Sequence, residues 1–198
     1  EHHALFANNI YGREDGVGGH KLRQAHTSKR RFGPRPFRKS GIDSAGGVVL
    51  FLNAMRIAVL ADTHDRYPPS LPGRLRRADE IWHLGDVCDP ATLVEFEQLG
   101  PPLHVVLGNC DSHPAWPVDL ELEREGVKFY LTHIPPGQAP AGVKAILHGH
   151  THVPRDEVVD GVRWLNPGCI TRPRGVPPSF AWLTVERGRL TRWEPVRL

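Results

Sequence analysis

The amino-acid sequence predicts an α/β fold for residues 55–198, a length that suits one compact domain with a single core. Short apolar runs rich in Val, Ile and Leu recur from Met55 onward, as expected of strands buried on both faces. Helix-compatible stretches separate the first of these runs. After His152 the pattern changes to antiparallel hairpins. This order of elements favours an α/β domain.

Five apolar runs are predicted to be core strands, and each of them ends in a polar cluster. Their composition is typical of strands at the centre of a sheet. They are residues 56–60 (RIAVL), 81–84 (IWHL), 103–107 (LHVVL), 127–131 (VKFYL) and 145–147 (AIL).

Two stretches between these strands are compatible with helices. Residues 71–78 are a weak candidate, because Pro72 and Gly73 disfavour a helix interior. Residues 90–99 are a better one, since they begin with a proline and place apolar side chains on one face. These apolar side chains are Leu93, Phe96 and Leu99.

Two hairpins are predicted in the last quarter of the chain. Asp160-Gly161 lies between residues 157–159 and 162–165, and Arg187-Gly188 lies between residues 181–185 and 190–193. A Gly in the second position of a two-residue turn is a strong hairpin indicator.

Residues 1–54 are predicted to be a disordered extension, because they show no sustained period of 2 or 3.6 residues. Met55 is the single methionine and directly precedes the first clear strand, so we expect the native product to begin there. An inert native tail and a functional arm that binds nucleic acid or a partner are the alternatives.

The net charge of +3 is unevenly distributed. Residues 1–54 hold nine Lys or Arg against four Asp or Glu, so residues 55–198 sum to −2. The domain therefore lacks the basic surface expected of a nucleic-acid binder. The longest apolar run near the N-terminus, residues 48–52, is far shorter than the ~20 residues that span a bilayer, and no membrane association is predicted.

The three cysteines, Cys88, Cys110 and Cys169, are odd in number, widely spaced and outside any CxxC pair. This usage indicates neither a disulfide framework nor a zinc ribbon, and it favours a reducing, cytoplasmic compartment. We expect Cys110 to be a small buried residue rather than a reactive thiol.

Side chains that can bind a metal follow each predicted core strand. The carboxyl ends of strands in open α/β sheets border ligand sites, so these side chains can converge on one cleft. Mixed oxygen and imidazole ligands suit Mn, Fe, Zn or Co better than Mg or Ca. The candidates are Asp62, His64, Asp86, Asn109, His133, His150 and His152.

Seven ligands exceed the needs of one tetrahedral ion but suit two ions that share a carboxylate. Two such ions activate a water between them and bind the oxygens of a phosphoryl group during displacement. The pattern therefore predicts a hydrolytic site.

The ordered motifs DTH, GD, GNCD, TH and GHTH resemble the calcineurin-like metallophosphoesterase superfamily, and the GNCD form is similar to its small bacterial and archaeal phosphodiesterases. The resemblance spans residues 55–198 and implies a four-layer α/β/β/α sandwich of two facing mixed sheets with helices outside. The segments NPGC (166–169) and Arg174-Gly175 are similar to a family segment expected to support the rim of the cleft.

The resemblance also implies the ligand sets and two catalytic residues. Asp86 would bridge the ions, and Asn109 would stabilise charge on the phosphoryl oxygens. Metal one would be held by Asp62, His64, Asp86 and His152, and metal two by Asp86, Asn109, His133 and His150.

The chain departs from the family pattern at several positions. Asp65 replaces a usual Gly and adds negative charge beside the anion site. Ile134-Pro135 replaces a Gly after the motif histidine, and Cys169 replaces a Ser. Cys110 stands where many larger relatives have a histidine proposed to be the proton donor, so the acid for the leaving group is unassigned.

The function implied is metal-dependent hydrolysis of a small phosphoester, with a phosphodiester favoured, through a hydroxide bridging two divalent ions. Mn is the expected metal, with Ni, Zn, Fe and Co as alternatives. One alternative function is a non-catalytic protein-interaction scaffold with the same fold, as in a retromer subunit. A nucleoside polyphosphate hydrolase is a second alternative. A nuclease is a third, and the net charge of −2 of residues 55–198 disfavours it. The sequence identifies no substrate-binding residue, and a homo-oligomer is compatible with it.

Overall fold

The computed structural model describes residues 39–42, 48–51 and 54–198, and within these ranges the chain forms two five-stranded sheets, one two-stranded sheet and short helices. The elements are β1 (Lys39–Ile42), β2 (Val48–Phe51), β3 (Met55–Leu60), α1 (Leu71–Leu75), β4 (Glu80–His83), a 3₁₀ turn (Pro90–Leu93), α2 (Val94–Glu97), β5 (Leu103–Val105), β6 (Asp119–Arg124), β7 (Val127–Thr132), β8 (Ala145–Leu147), β9 (Arg155–Val159), β10 (Val162–Asn166), β11 (Ser179–Glu186) and β12 (Arg189–Arg197).

Strands β1 and β2 pair antiparallel, from Lys39 opposite Phe51 to Ile42 opposite Val48. The other residues of the predicted extension, apart from Ala54, lie outside the described ranges. The expectation of a disordered extension over residues 1–54 therefore stays a prediction.

The first large sheet has the order β12-β11-β3-β4-β5. Strands β3, β4 and β5 are parallel, whereas β11 runs antiparallel to both β3 and β12. The buried apolar runs that predicted β3 and β4 are thus central strands, and their carboxyl ends point to one edge.

The second large sheet has the order β6-β7-β8-β10-β9. Its three middle strands are parallel, and β6 and β9 are antiparallel strands at the two edges. Strand β6 (DLELER) was missing from the sequence-based assignment, although its Leu120 and Leu122 alternate with acidic residues at a period of two.

The two mixed sheets face each other across a shared apolar core. The ring of Trp82 on β4 meets the ring of Phe129 on β7 edge-on, with centroids 5.3 Å apart. Glu80 of β4 accepts a hydrogen bond from the Arg124 Nε of β6 at 2.7 Å and so links the sheets at their margin. This packing confirms the predicted sandwich of two facing mixed sheets.

In the ranges that the structure describes, the helices pack on the outer face of the first sheet. Leu71, Leu75 and Phe96 pack there against Ile81 and its neighbours. The expected four-layer sandwich has helices over the outer face of the second sheet as well. In the described residues, the irregular segment 134–144 covers that face instead. Its three prolines in the sequence IPPGQAPAG explain this difference, because proline removes a helical donor and clashes with the preceding turn.

Both predicted hairpins are present, with the backbone that their sequences require. Asp160 and Gly161 have φ values of 50° and 77°, and Arg187 and Gly188 have values of 50° and 74°. Two successive positive φ values are the mark of a type I′ turn, which matches the twist of the flanking strands.

The predicted helices are shorter in the structure than in the sequence assignment. Helix α1 ends at Leu75. Asp79 lies beside the sheet, where its backbone N–H donates to the Arg56 carbonyl at 2.7 Å, so the helix cannot continue to residue 78. The better candidate divides into the 3₁₀ turn, which Asp89 caps through Ala91 N–H, and α2. Among the described residues, no helix is long and apolar enough to cross a membrane.

Candidate metal centre

The seven predicted ligands lie together where the carboxyl ends of strands from both sheets meet. Each follows a parallel strand, as the sequence predicted: Asp62 and His64 after β3, Asp86 after β4, Asn109 after β5, His133 after β7, and His150 and His152 after β8.

Asp86 and Asn109 lie at the centre of this cluster. The carboxylate of Asp86 is 3.7 Å from His64 Nε2 through one oxygen and 3.4 Å from His133 Nε2 through the other. Asn109 Oδ1 is 3.0 Å from both His133 Nε2 and His150 Nδ1. Asp86 therefore faces both halves of the cluster, as a bridging ligand requires.

Asp62 and His64 supply the evidence that these residues suit a cation. Both carboxylate oxygens of Asp62 and the Nε2 of His64 are buried and make no hydrogen bond in the described part of the chain. His152 Nε2 lies 3.2 Å from Asp62 Oδ1 without completing one. Buried polar atoms are almost always satisfied, so unsatisfied oxygen and imidazole atoms that point at one another fit metal coordination.

Two of the histidines are held in the orientation expected of metal ligands. The Nδ1–H of His133 donates to the Leu84 carbonyl at 2.8 Å, and that of His152 donates to the Arg172 carbonyl at 2.8 Å. In each ring this leaves the Nε2 lone pair directed into the cluster. Backbone carbonyls therefore fix the tautomers that metal binding needs.

The ligand loops adopt backbone conformations that are unusual for residues with side chains. Asp62, His64, Asp86, His150 and His152 all have φ between 43° and 65°, in the left-handed region. Each such residue costs about 1–3 kcal/mol, and clusters of them are typical of functional sites.

Two glycines allow the ligand loops to approach each other. A Cβ on Gly85 would lie 2.6 Å from the Gly108 nitrogen, and one on Gly108 would collide with the backbone of Asp86. The Gly in the GD motif and the Gly in the GNCD motif are therefore required by backbone contact between the two loops.

Two residues that the sequence analysis did not single out hold these loops in place. Asp111 accepts backbone N–H groups from Asp86 (2.9 Å), Gly108 (2.7 Å) and Cys88 (2.7 Å). Thr171 donates its hydroxyl to the Asp62 and Thr63 carbonyls. The aspartate of the GNCD motif was the available indication for Asp111, whereas nothing local marks Thr171.

The NPGC segment supports the loop that carries His150 and His152, as expected. Asn166 donates from Nδ2 to the Gly149 carbonyl at 2.8 Å and to the Thr151 hydroxyl at 3.1 Å. Its Oδ1 accepts the Gly168 N–H at 2.8 Å.

The two aspartates differ in their protonation. Burial raises the pKa of Asp62 to about 6, against the lowering influence of His133 and His152. Burial also acts against ionisation of Asp86, but the adjacent His133 imidazole and the hydrogen bond from the Cys110 N–H hold the pKa of Asp86 at about 2. Asp86 is thus a ready anion, whereas Asp62 needs an adjacent cation to ionise fully.

The ligands open into a cleft of about 270 Å³ that also presents two arginines. Arg172 and Arg174 are exposed at its rim, where a guanidinium can form paired hydrogen bonds with a phosphate. Asp65, expected to repel an anion there, accepts the Asp89 N–H at 2.6 Å. A wider groove beside β11 and β12 is lined by residues such as Arg56 and Thr184 and includes none of the seven predicted ligands.

The cysteines correct the sequence analysis. Cys88 and Cys110, 22 residues apart, form a disulfide with a Cα–Cα distance of 5.2 Å. The expectation of no disulfide was wrong, because the tertiary fold brings two loops together that no sequence pattern links. Cys110 is also exposed rather than buried, whereas Cys169 is a buried free thiol.

Comparison with known proteins identifies relatives of the whole domain. The model of the calcineurin-like phosphoesterase superfamily domain matches residues 55–188. A "probable metallophosphoesterase" of Methanothermobacter thermautotrophicus is 32% identical over 154 residues, which cover 69% of this chain and 89% of that protein. A phosphodiesterase of Methanocaldococcus jannaschii is 28% identical over 153 residues, which cover 62% of this chain and 89% of that protein.

A solved structure shows the same fold at lower identity. The zinc complex of Vps29 from Entamoeba histolytica superposes with a TM-score of 0.60 at 24% identity, covering 73% of this chain and 98% of Vps29.

Proposed function

The chain belongs to the calcineurin-like phosphoesterase superfamily, and from this membership we propose that it is a metal-dependent hydrolase of small phosphodiesters. The observation that carries the proposal is the cluster of seven predicted ligand side chains, which includes the buried and unsatisfied Asp62 carboxylate. The name of the archaeal phosphodiesterase relative supports a diester over a monoester.

Two divalent ions fit the donor set. Metal one would be held by Asp62, His64, Asp86 and His152, and metal two by Asp86, Asn109, His133 and His150. When bound, the ions would supply an activated water and positive charge against the phosphoryl oxygens. Mn²⁺ is the expected metal because carboxylate, amide and imidazole donors are mixed; Ni, Zn, Fe and Co are alternatives.

The side chains of the cleft would position the substrate. Asn109 directs its Oδ1 to two imidazoles, which leaves its NH₂ group to donate to a phosphoryl oxygen. Arg172 and Arg174 would bind the phosphate from the rim. A cleft of about 270 Å³ suits a small phosphoester rather than a nucleic-acid duplex, in line with the −2 charge of residues 55–198.

The proposal is tested with a chromogenic diester and the purified full chain. After removal of metals, turnover should return with Mn²⁺ and be compared with Ni²⁺, Zn²⁺ and Mg²⁺. Asp86→Asn should lose at least about 10²-fold in kcat, because the carboxylate faces both halves of the cluster. Asp156→Asn is the matched control. Asp156 lies on the edge strand β9, where it pairs with Arg163 of the neighbouring strand β10.

The same experiment separates the alternatives. A non-catalytic scaffold would show no metal-dependent turnover, and a nucleoside polyphosphate hydrolase would prefer anhydrides over diesters in a substrate panel. Full turnover by Asp86→Asn would contradict the metal-centre proposal. The cytoplasmic location and the oligomeric state stay predictions from the sequence.

A further inference from the structure

A second cluster of metal-binding atoms lies on the far side of His64 from Asp86. The Nδ1 of His64 is 3.5 Å from Cys88 Sγ and 3.8 Å from Cys110 Sγ, and the three atoms lie within 4.8 Å of one another. A metal-ligating histidine normally donates its second ring nitrogen to a carboxylate, a carbonyl or water. His64 instead faces two sulfur atoms, which are joined in a disulfide.

The two cysteine loops are anchored independently of the bond between their sulfurs. The Cys88 N–H donates to Asp111 Oδ1 at 2.7 Å, and the Cys110 N–H donates to Asp86 Oδ1 at 2.9 Å. These hydrogen bonds fix the backbones of both cysteines, with a Cα–Cα distance of 5.2 Å. Reduction would therefore leave the two sulfurs facing each other and His64.

We propose that reduction of the Cys88–Cys110 disulfide creates a binding site for one thiophilic cation, Zn²⁺, formed by the two thiolates and the Nδ1 of His64. Zn–S bonds of about 2.3 Å and Zn–N bonds of about 2.0 Å place tetrahedral S and N ligands about 3.5 Å apart. The sulfur-to-nitrogen distances of 3.5 and 3.8 Å already match this separation. Three protein ligands leave the fourth position to water, as in zinc sites with an open position.

Cys110 is the more exposed residue of the disulfide, so its sulfur is the point at which a reductant would attack. A thiolate of a dithiol reductant displaces Cys88 as a thiolate, and the second thiol of the reductant then releases Cys110. Two electrons pass from the dithiol, which becomes a disulfide, to the cysteine pair. Zn²⁺ binding releases the thiol protons, so the site is gated by redox state.

Zn²⁺ in this site would compete with metal one for His64, an inference that rests on the proposed ligand role of His64. A neutral imidazole has one N–H and one lone pair. If Nδ1 binds Zn²⁺, the proton resides on Nε2, which then cannot coordinate metal one. Reduced protein with Zn²⁺ should consequently hold fewer Mn²⁺ ions.

The test uses the full-length, metal-free protein and Cd²⁺ as a spectroscopic substitute for Zn²⁺. Phosphine-reduced protein should show an ultraviolet thiolate-to-metal charge-transfer band that corresponds to one bound Cd²⁺, and Zn²⁺ should remove the band. The band should be absent from unreduced protein and lost in Cys88→Ser and Cys110→Ser. Cys169→Ser is the matched control and should keep it, because Cys169 is the buried free cysteine.

Two outcomes would overturn the site: no band in reduced wild-type protein, or a band of equal strength in unreduced protein or in the double variant Cys88→Ser/Cys110→Ser. The readout does not depend on phosphodiester turnover. Loss of the band with turnover intact would therefore count against this site alone, and a band without turnover would count against the proposed function alone. Mn²⁺ counted by electron paramagnetic resonance in reduced and in unreduced protein, each with one equivalent of Zn²⁺, tests the competition: the reduced protein should hold fewer Mn²⁺ ions, and equal counts would contradict it.

Discussion

Asp62 has a buried environment that suits a bound cation. Its carboxylate is buried and makes no hydrogen bond in the described part of the chain, so without a cation its charge is poorly compensated. The folded-state pKa of about 6 lies above the ordinary value of 3.8. The folded protein thus binds a proton more tightly than the unfolded chain between these two pH values.

This difference predicts a pH dependence of stability. Below about pH 4 the Asp62 carboxyl is protonated in the folded and in the unfolded protein. As the pH rises from about 4 to about 6, the metal-free protein should lose stability, because unfolding releases a proton. Thermal unfolding of wild-type protein and Asp62→Asn across this range is the measurement. The loss should disappear in Asp62→Asn, which should also fail to bind metal one; an unchanged pH profile in Asp62→Asn would contradict the assignment.

The disulfide at Cys110 leads to a prediction about which leaving groups the proposed site accepts. A disulfide sulfur carries no proton, so this position cannot protonate a leaving group. For a series of aryl phosphodiesters, kcat/KM should fall steeply as the leaving phenol becomes less acidic. Cys110→His should make the slope shallower than Cys110→Ala, which also breaks the disulfide. Equal slopes in these two variants would show that position 110 does not face the leaving group.

At the level of elements, the contact between the GD and GNCD loops sets the position of the ligands. Gly85→Ala would place a Cβ 2.6 Å from the Gly108 nitrogen at a φ of +88°. We expect a loss of about 1–3 kcal/mol in the free energy of unfolding and weaker Mn²⁺ binding. Chemical denaturation and calorimetric titration measure the two effects.

Gly137→Ala is the control for this substitution. A Cβ on Gly137 meets nothing within 4 Å, and its backbone is outside the left-handed region. If Gly85→Ala unfolds and binds Mn²⁺ as Gly137→Ala does, loop contact does not position the ligands.

The sequence predicted the elements whose patterns are locally strong. The run RIAVL gave β3, and the Asp160-Gly161 pair gave a hairpin, because burial on both faces and positive φ each leave a direct trace in composition. Strand β6 was missed because four of its six residues are charged. The helices were shortened by tertiary hydrogen bonds, such as Asp79 to Arg56, which no local pattern contains.

The convergence of the seven side chains was predictable from the sequence, whereas the contacts around them were not. Ligand sites border the carboxyl ends of strands in α/β sheets, and this rule predicted that the seven side chains would lie close together, as they do. Their role as metal ligands stays a prediction. Three features depend on which loops are close in the folded structure, so no sequence pattern reveals them. They are the disulfide, the contacts of Asp111 and the contacts of Thr171.

For the whole molecule, the proposed metal centre would join the two sheets. Asp62, His64, Asp86 and Asn109 extend from the first sheet, whereas His133, His150 and His152 extend from the second. Ions bound between them would stabilise the folded state by mass action. Saturating Mn²⁺ should raise the Tm of wild-type protein and leave that of Asp86→Asn nearly unchanged, as measured by differential scanning calorimetry; equal increases in both would indicate binding elsewhere.

The most direct test of the central claim is an anomalous difference map from crystals of the protein grown with Mn²⁺. We expect two peaks about 3.5–4 Å apart on either side of the Asp86 carboxylate, one beside Asp62 and His152 and the other beside Asn109 and His133. A map with no peak between the strand ends of the two sheets would contradict the account, whether or not Mn²⁺ is bound elsewhere on the protein.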